Sequence, residues 1–435
     1  MLRRKIDEFL LDWKNRDVKK SIFIDGPRQV GKTFAIKQFA KKKYKDINYF
    51  YINFLENKEL RNIFSREVRI QTLYQNISLY FPEKEMVPGK TLLVFDEIQE
   101  CSQAILALRH FTTDAKYDVI ASGAFVDVSH ELEHSFPVGY VERYHLYSID
   151  FEEFLWANNY SLEDISNLEL EFSENDERVL TKHNELSSLF REYMAIGGMP
   201  EVVDGYLKDR DYKKAFSILS RMIDEYDTDI LRYASNTIKY KTKDVFQTLH
   251  LHLLKDYKKF QYRLVSEGGR SNRYSASLDW LIGAGIVHKS TNLTAPLRPL
   301  QNNVRSDVFK LYFHDHGLLV GMLGIHVMID ILKGNLNAAN NAVLENCVAC
   351  ILASNDFTLY YFEKNGKLEV DFIIQYKREL AGVEVKTADR PKSKILPSLL
   401  ENYGVKYGIR FSQENMGVKE YLETYPLYLS IFVKR

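Results

Sequence analysis

The residues best suited to phosphate chemistry come early in the chain. Gly26-Pro27-Arg28-Gln29-Val30-Gly31-Lys32-Thr33 has the spacing GxxxxGK[ST], between the apolar run "SIFID" and a helix-forming stretch. In such a loop the backbone N–H groups and the start of the following helix cradle phosphate oxygens. Lys32 would reach the β and γ phosphates, and the Thr33 hydroxyl would ligate Mg²⁺. Further on, "TLLVFDEIQE" is an apolar strand that ends in Asp96-Glu97. Asp96 would hold Mg²⁺ through water, and Glu97 would polarise the water that attacks the γ-phosphate. ATP and Mg²⁺ are therefore the expected ligands of the first half.

Acidic residues of another kind stand near the other end. "LEVDFIIQYKRELAGVEVK" places Asp371 in one apolar run and Glu384 in the next, with Lys386 two residues on. Buried charges are costly unless paired or metal-bound. At strand period Glu384 and Lys386 share a face. Glu345 lies on a helical stretch just upstream, "NAANNAVLENCVACILAS". Glu345, Asp371 and Glu384 would hold Mg²⁺, and Lys386 would position or deprotonate the water for phosphodiester hydrolysis. The alternative is that these acids are salt-bridged to Lys386 and do no chemistry.

The elements needed to position the first set are legible. "INYFYINF" (47–54), "YDVIASGAF" (117–125) and "RYHLYSI" (143–149) read as further strands of one parallel sheet, whose C-terminal ends face the ligand. Ser122 would then contact the γ-phosphate or the attacking water, or would simply close its strand in a turn. Transition-state charge would come from Arg143, from Arg28, or from a neighbouring subunit.

From 157 to 235 the pattern is helical and acidic, broken by Gly197-Gly198-Met199-Pro200. Residues 236–304 suggest helix, turn, helix and strand, a winged-helix-like unit in which Arg270, Asn272 and Arg273 face DNA or a partner protein. Domain boundaries are expected at 1–156, 157–235, 236–304 and 305–435.

Composition sets outer limits. The 435 residues are 45% hydrophobic and 27% charged, with 59 basic and 59 acidic residues, so no global basic field announces nucleic acid. Cys101, Cys347 and Cys350 are too few for a disulfide framework, and Cys347-Val-Ala-Cys350 reads as small core residues rather than a zinc site. His314-Asp315-His316 lacks further evident ligands. "GLLVGMLGIHVMIDIL" is short for a membrane span, and the start of the chain is no signal peptide, so a cytoplasmic protein is expected.

The order helical Glu, strand Asp, Glu-x-Lys resembles the PD-(D/E)xK nucleases, with Val370 where that pattern nominally has Pro. The whole chain resembles a bacterial and archaeal family of "ATP-binding proteins", an AAA-type P-loop ATPase fused to a C-terminal domain of unknown function. The landmarks are "GPRQVGKT", "LLVFDEIQ", "IASGAF", "VERYHLYSIDFEEFL", "YMAIGGMPEVV", "WLIGAGIV", "FKLYFHDHGLL" and "LEVDFII...GVEVK". Ser122-Gly123-Ala124 stands where members commonly have Thr-Gly-Ser, and "LYSI" where they often have "LYPL". The resemblance implies an α/β fold: a P-loop NTPase sheet domain, a helical and winged-helix-like middle, and a restriction-endonuclease-like C-terminal α/β domain. It implies ATP binding and hydrolysis without a known cellular task. Two functions compete. One is an Mg²⁺-dependent ATPase coupled to a nuclease-like domain acting on DNA or RNA. The other is a nucleotide-gated interaction switch whose nuclease-like platform is inactive and binds a partner protein. AAA-type relatives often assemble, so a homo-oligomer is a further expectation.

Overall fold

The computed structural model describes residues 2–434 apart from 65–68, 125–135, 174–176, 338, 340, 365, 367, 387–393, 415 and 420. It divides into two compact units, Arg3–Tyr147 with Gly283–Gly285, and Ser148–Ile282 with Ile286–Arg435.

The first unit is built on five parallel strands, β1 (Ser21–Asp25), β2 (Tyr49–Asn53), β3 (Leu92–Asp96), β4 (Asp118–Gly123) and β5 (Val141–His145), in the order β2-β3-β4-β1-β5. β1, β3 and β4 are buried at every position, as expected of central strands covered on both faces. Alternation then divides the core: Phe23, Phe50 and Phe95 pack in one layer, and Ile22, Ile24 and Val94 pack in the other with Trp13 and Ile36. Parallel register pairs Asn53 with Asp96 and Ile24 with Ser122, which sets the ends of β1, β3 and β4 at one edge. The strands expected at 47–54, 117–125 and 143–149 are present but differ at their ends. β5 starts earlier and stops at His145, after which the Leu146 amide donates to the Asp25 carbonyl at 2.8 Å. Phe125 lies outside the described residues.

The second unit begins with helices and ends with a mixed sheet. Helices Lys239–Leu253, Tyr262–Val265 and Ser271–Gly283 lead into a hairpin of β6 (Val287–Leu293) and β7 (Val304–Phe313). Arg270, Asn272 and Arg273 are exposed at the start of the third of these helices. The hairpin is not a separate sheet. β6 also pairs with β8 (Tyr360–Lys364), followed by β9 (Leu368–Tyr376), β10 (Glu379–Val385), β11 (Tyr407–Ser412), β12 (Gly417–Lys419) and β13 (Leu422–Pro426), in the order β12-β13-β11-β10-β9-β8-β6-β7. One hydrogen-bonded sheet therefore runs through position 304. β9 and β10 are antiparallel, and the helix Ile395–Tyr403 connects β10 to its parallel neighbour β11.

Two sequence landmarks prove to be halves of one junction. Gly197 has φ +78°, and a Cβ there would lie 2.3 Å from Asp315 Oδ1, while one at Gly198 would lie 2.1 Å from the Ile149 carbonyl oxygen. Asp315 accepts from the Gly198 amide at 2.8 Å and the Gly317 amide at 2.9 Å. The flanking histidines part company: His314 Nε2 meets Tyr226 Oη at 2.8 Å, and His316 Nε2 meets the Tyr193 carbonyl oxygen at 3.0 Å. Cys347 and Cys350 are free thiols buried in the core.

Candidate functional site

The loop from Gly26 to Gly31 turns because three residues take left-handed backbone angles: Gly26 (φ +142°), Gln29 (φ +65°) and Gly31 (φ +95°). At Gly26 the space is as demanding as the angle, since a Cβ would sit 2.3 Å from the Leu146 carbonyl oxygen. Gly31 is the N-cap of helix Lys32–Lys43, which leaves the first N–H groups of that helix directed at the loop. Pro27, Arg28, Gln29 and Val30 form the wall of the turn. Lys32 is buried and donates to the Gly26 carbonyl at 2.8 Å and the Pro27 carbonyl at 2.6 Å. Burial pulls its ammonium down to about 8 against the attraction of Glu97 and Asp96.

Asp96 is the centre of the site. Its Oδ2 accepts from Thr33 Oγ1 at 2.8 Å and from the Tyr51 phenol at 2.5 Å, and its Oδ1 accepts from Ser122 Oγ at 2.5 Å. Burial and Asp96 hold the Tyr51 phenol well above its ordinary value, so it remains a donor. Thr33, Asp96 and Ser122 are thus brought together as the spacing suggested. Glu97 adopts φ +52°, unusual for a residue with a side chain, and its Oε2 accepts from Gln99 Nε2 at 2.5 Å. A hydroxyl and a carboxylate side by side, beside a buried lysine and a helix N-terminus, are a donor set that fits a magnesium nucleotide.

Several positioning residues escape sequence reasoning. Arg4 donates to the Val30 carbonyl at 3.1 Å and the Tyr147 carbonyl at 2.8 Å, tying the loop to the segment after β5. Asp25, just before the loop, is gripped by Arg143 Nε at 2.9 Å and faces His145 Nδ1 at 3.1 Å. Burial alone would raise the Asp25 carboxyl, but His145 and Arg143 outweigh it and hold it below its usual range. Arg143, a candidate for transition-state charge, is therefore tied to a strand end. Tyr51 could have been found from register, since it lies two residues before Asn53, the partner of Asp96.

The acidic residues of the second unit are arranged differently. Glu345 is buried, with Oε2 2.7 Å from Lys258 Nζ and Oε1 3.0 Å from Lys310 Nζ, and Tyr312 donates to the same Oε1 at 2.5 Å. Lys310 also meets Glu369 at 2.7 Å. Burial would raise Glu345, yet the two lysines hold it well below the carboxylate range; Lys310, for its part, is held well above its own against the pull of burial. Asp371 accepts from the Val385 amide at 2.8 Å, and burial together with Glu345 pushes its carboxyl up to about 7. Glu384 turns to other partners: Arg410 Nη2 at 3.2 Å, across the β10–β11 register, and Lys386 Nζ at 3.5 Å. Glu345 and Asp371 are thus associated with each other and with lysines, while Glu384 and Lys386 form a separate group with Arg410. Among the described residues no group of three His, Cys, Asp or Glu side chains could hold a metal ion. The metal set expected from Glu345, Asp371 and Glu384 is not assembled there: Lys258 and Lys310 meet Glu345, Arg410 and Lys386 meet Glu384, and the Val385 amide donates to Asp371.

Residues 18–155 match the model of an AAA domain, 187–328 a domain of unknown function (DUF8612), and 338–430 another domain of unknown function (DUF4143). The first unit is an AAA-type P-loop domain, in keeping with its parallel sheet. No curated protein matches the chain. Among solved structures, a Walker-type ATPase of Pyrococcus abyssi is similar at 12% identity and a TM-score of 0.44, over 77% of this chain and 96% of that one. The ORC1 protein of Aeropyrum pernix, solved in complex with DNA, is similar at 11% identity and a TM-score of 0.28, over 76% and 91%. At TM-scores below 0.5 neither likeness bears on function. Among the described residues no helix is long and apolar enough to cross a membrane.

Proposed function

We propose that this chain is an Mg²⁺-dependent ATPase whose nucleotide cycle controls the second unit as a binding platform. The observation that carries the first part is the convergence of Thr33, Tyr51 and Ser122 on Asp96, beside Lys32. The Gly26–Thr33 loop and Lys32 would hold the phosphates, and Thr33 with Asp96 would hold the ion, which supplies charge neutralisation on the phosphate oxygens when bound. Asp96 is oriented by neutral hydroxyl donors, with no internal cation spent on it in those bonds. Glu97, steered by Gln99, is placed to orient a water and accept its proton. Ser122 reports on the same carboxylate from the neighbouring strand, which links that residue to the state of the phosphate. With Arg143 on Asp25, stabilising charge falls to Arg28 or to a neighbouring subunit in a homo-oligomer.

What supports the platform reading is the pairing of each nuclease-like carboxylate with an internal lysine, arginine or backbone amide. The partner would be a protein or a nucleic acid engaged by binding, not by cleavage. Phosphate release from ATP by wild type and Lys32→Ala tests the first part. Loss of one oriented cation is expected to reduce turnover roughly 10²–10³-fold, and unchanged turnover and nucleotide affinity in the variant would refute the site.

A further inference from the structure

We infer that the second unit carries a site for a small organic anion, in a cleft along helix Glu177–Ile196. The cleft encloses about 370 Å³, within the range of small-molecule pockets. Along one wall His183, Ser187 and Arg191 succeed one another at single-turn spacing. Opposite stand Gln413, just after β11, and Tyr428, on the short helical segment Leu427–Phe432. Phe190, Met194 and Leu427 supply an apolar floor.

The charge balance of this cleft selects the ligand. Among the described residues its lining includes Arg191 but no Asp or Glu. Arg191 makes no ion pair or hydrogen bond with the described residues. The other ionisable groups are neutral near pH 7: burial lowers His183, whose Nδ1 meets Tyr428 Oη at 2.8 Å, and burial raises the Tyr428 phenol. A guanidinium with no partner among the described residues, set among amide and hydroxyl groups over an apolar floor, suits a carboxylate or phosphate head on a compact apolar body. The same geometry disfavours cations and larger neutral solutes. Arg191 lies in the 187–328 stretch and Gln413 in the 338–430 stretch, so a bound anion would bridge both. That position suits an effector of the platform.

The test is ¹⁹F NMR line broadening of 4-fluorobenzoate and 4-fluorophenyl phosphate by the full chain, with 4-fluorobenzyl alcohol as the neutral probe. Comparing the two anions tells a carboxylate ligand from a phosphate one. The expected result is that at least one anion broadens and the alcohol does not. Arg191→Met should weaken that binding about ten- to a hundredfold, the usual contribution of charged hydrogen bonds. Ser187→Trp, which keeps the arginine and fills the cleft, should abolish it. Lys32→Ala should leave it unchanged, which separates this cleft from the phosphate loop. Equal broadening by the alcohol, loss in Lys32→Ala with retention in Arg191→Met, or no broadening by either anion would overturn the proposal.

Discussion

Asp96 and Glu345 are both buried carboxylates lying close to a sheet, yet their surroundings are opposites. Asp96 is met by three hydroxyls, from Thr33, Tyr51 and Ser122. Glu345 is met by two ammonium groups, from Lys258 and Lys310, and by the Tyr312 hydroxyl. Neutral donors orient a carboxylate and leave its charge to be used by an incoming cation. Internal cations cancel that charge and, in a buried setting, lock the group into the fold. The identity of the partner, more than burial itself, distinguishes a poised carboxylate from a structural one. This contrast is the reason for assigning chemistry to the first unit and binding to the second.

The sharpest way to break the contrast is to remove a cation from the second unit. Lys310→Met leaves Glu345 and Glu369 short of compensation, and a loss of about 3–5 kcal/mol is expected in denaturant unfolding of that unit. Adding Glu345→Gln should recover part of it, with the coupling read from a double-mutant cycle. A loss below about 1 kcal/mol would place the network with weak surface pairs.

The matching change in the first unit is Ser122→Ala. It removes a neutral donor, so the fold should hold while turnover falls by roughly 10²-fold with KM little changed, as for a group acting in the transition state. An unaltered rate would reduce Ser122 to a strand-closing turn residue.

The smallest effect is the pH response of Asp371, and its sign follows from its surroundings. Its carboxyl is raised to about 7 in the folded chain, with Glu345, Lys310 and Lys258 facing it. A carboxyl raised on folding contributes stability that is complete at acid pH, below its unfolded value, and is lost as pH climbs through the folded one. Stability of the second unit should therefore decline between about pH 4 and 7, by about 1–2 kcal/mol once solvent screening of this partly exposed group is allowed for. Asp371→Asn should flatten that decline; an equally steep profile in the variant would assign the titration elsewhere.

How much of this was legible in the sequence follows from the range of each interaction. The phosphate loop and Asp96-Glu97 are contiguous motifs, and the strands behind them are continuous apolar runs, so both could be read directly. Arg4 reaches Val30 and Tyr147, and Tyr51 reaches Asp96, through contacts that no local pattern encodes. The second site misled for the same reason. Strand period placed Glu384 beside Lys386, which the structure retains, but gave no sign that Lys258 and Arg410 would arrive from other elements. Alternation tells which face a carboxylate takes; it is silent on what the tertiary fold brings to that face. The glycines of "AIGGMP" read as a helix break and do separate the helices ending at Ile196 and starting at Pro200, but their close approach to Asp315 was not legible.

The most direct measurement follows ATP turnover and plasmid integrity in one reaction, with Mg²⁺ and then Mn²⁺, for wild type, Lys32→Ala and Lys386→Ala. Phosphate release that depends on Lys32, with the plasmid intact throughout, is the expected result. Plasmid cleavage by wild type that disappears in Lys386→Ala would contradict it and make the carboxylates of the second unit a working nuclease centre.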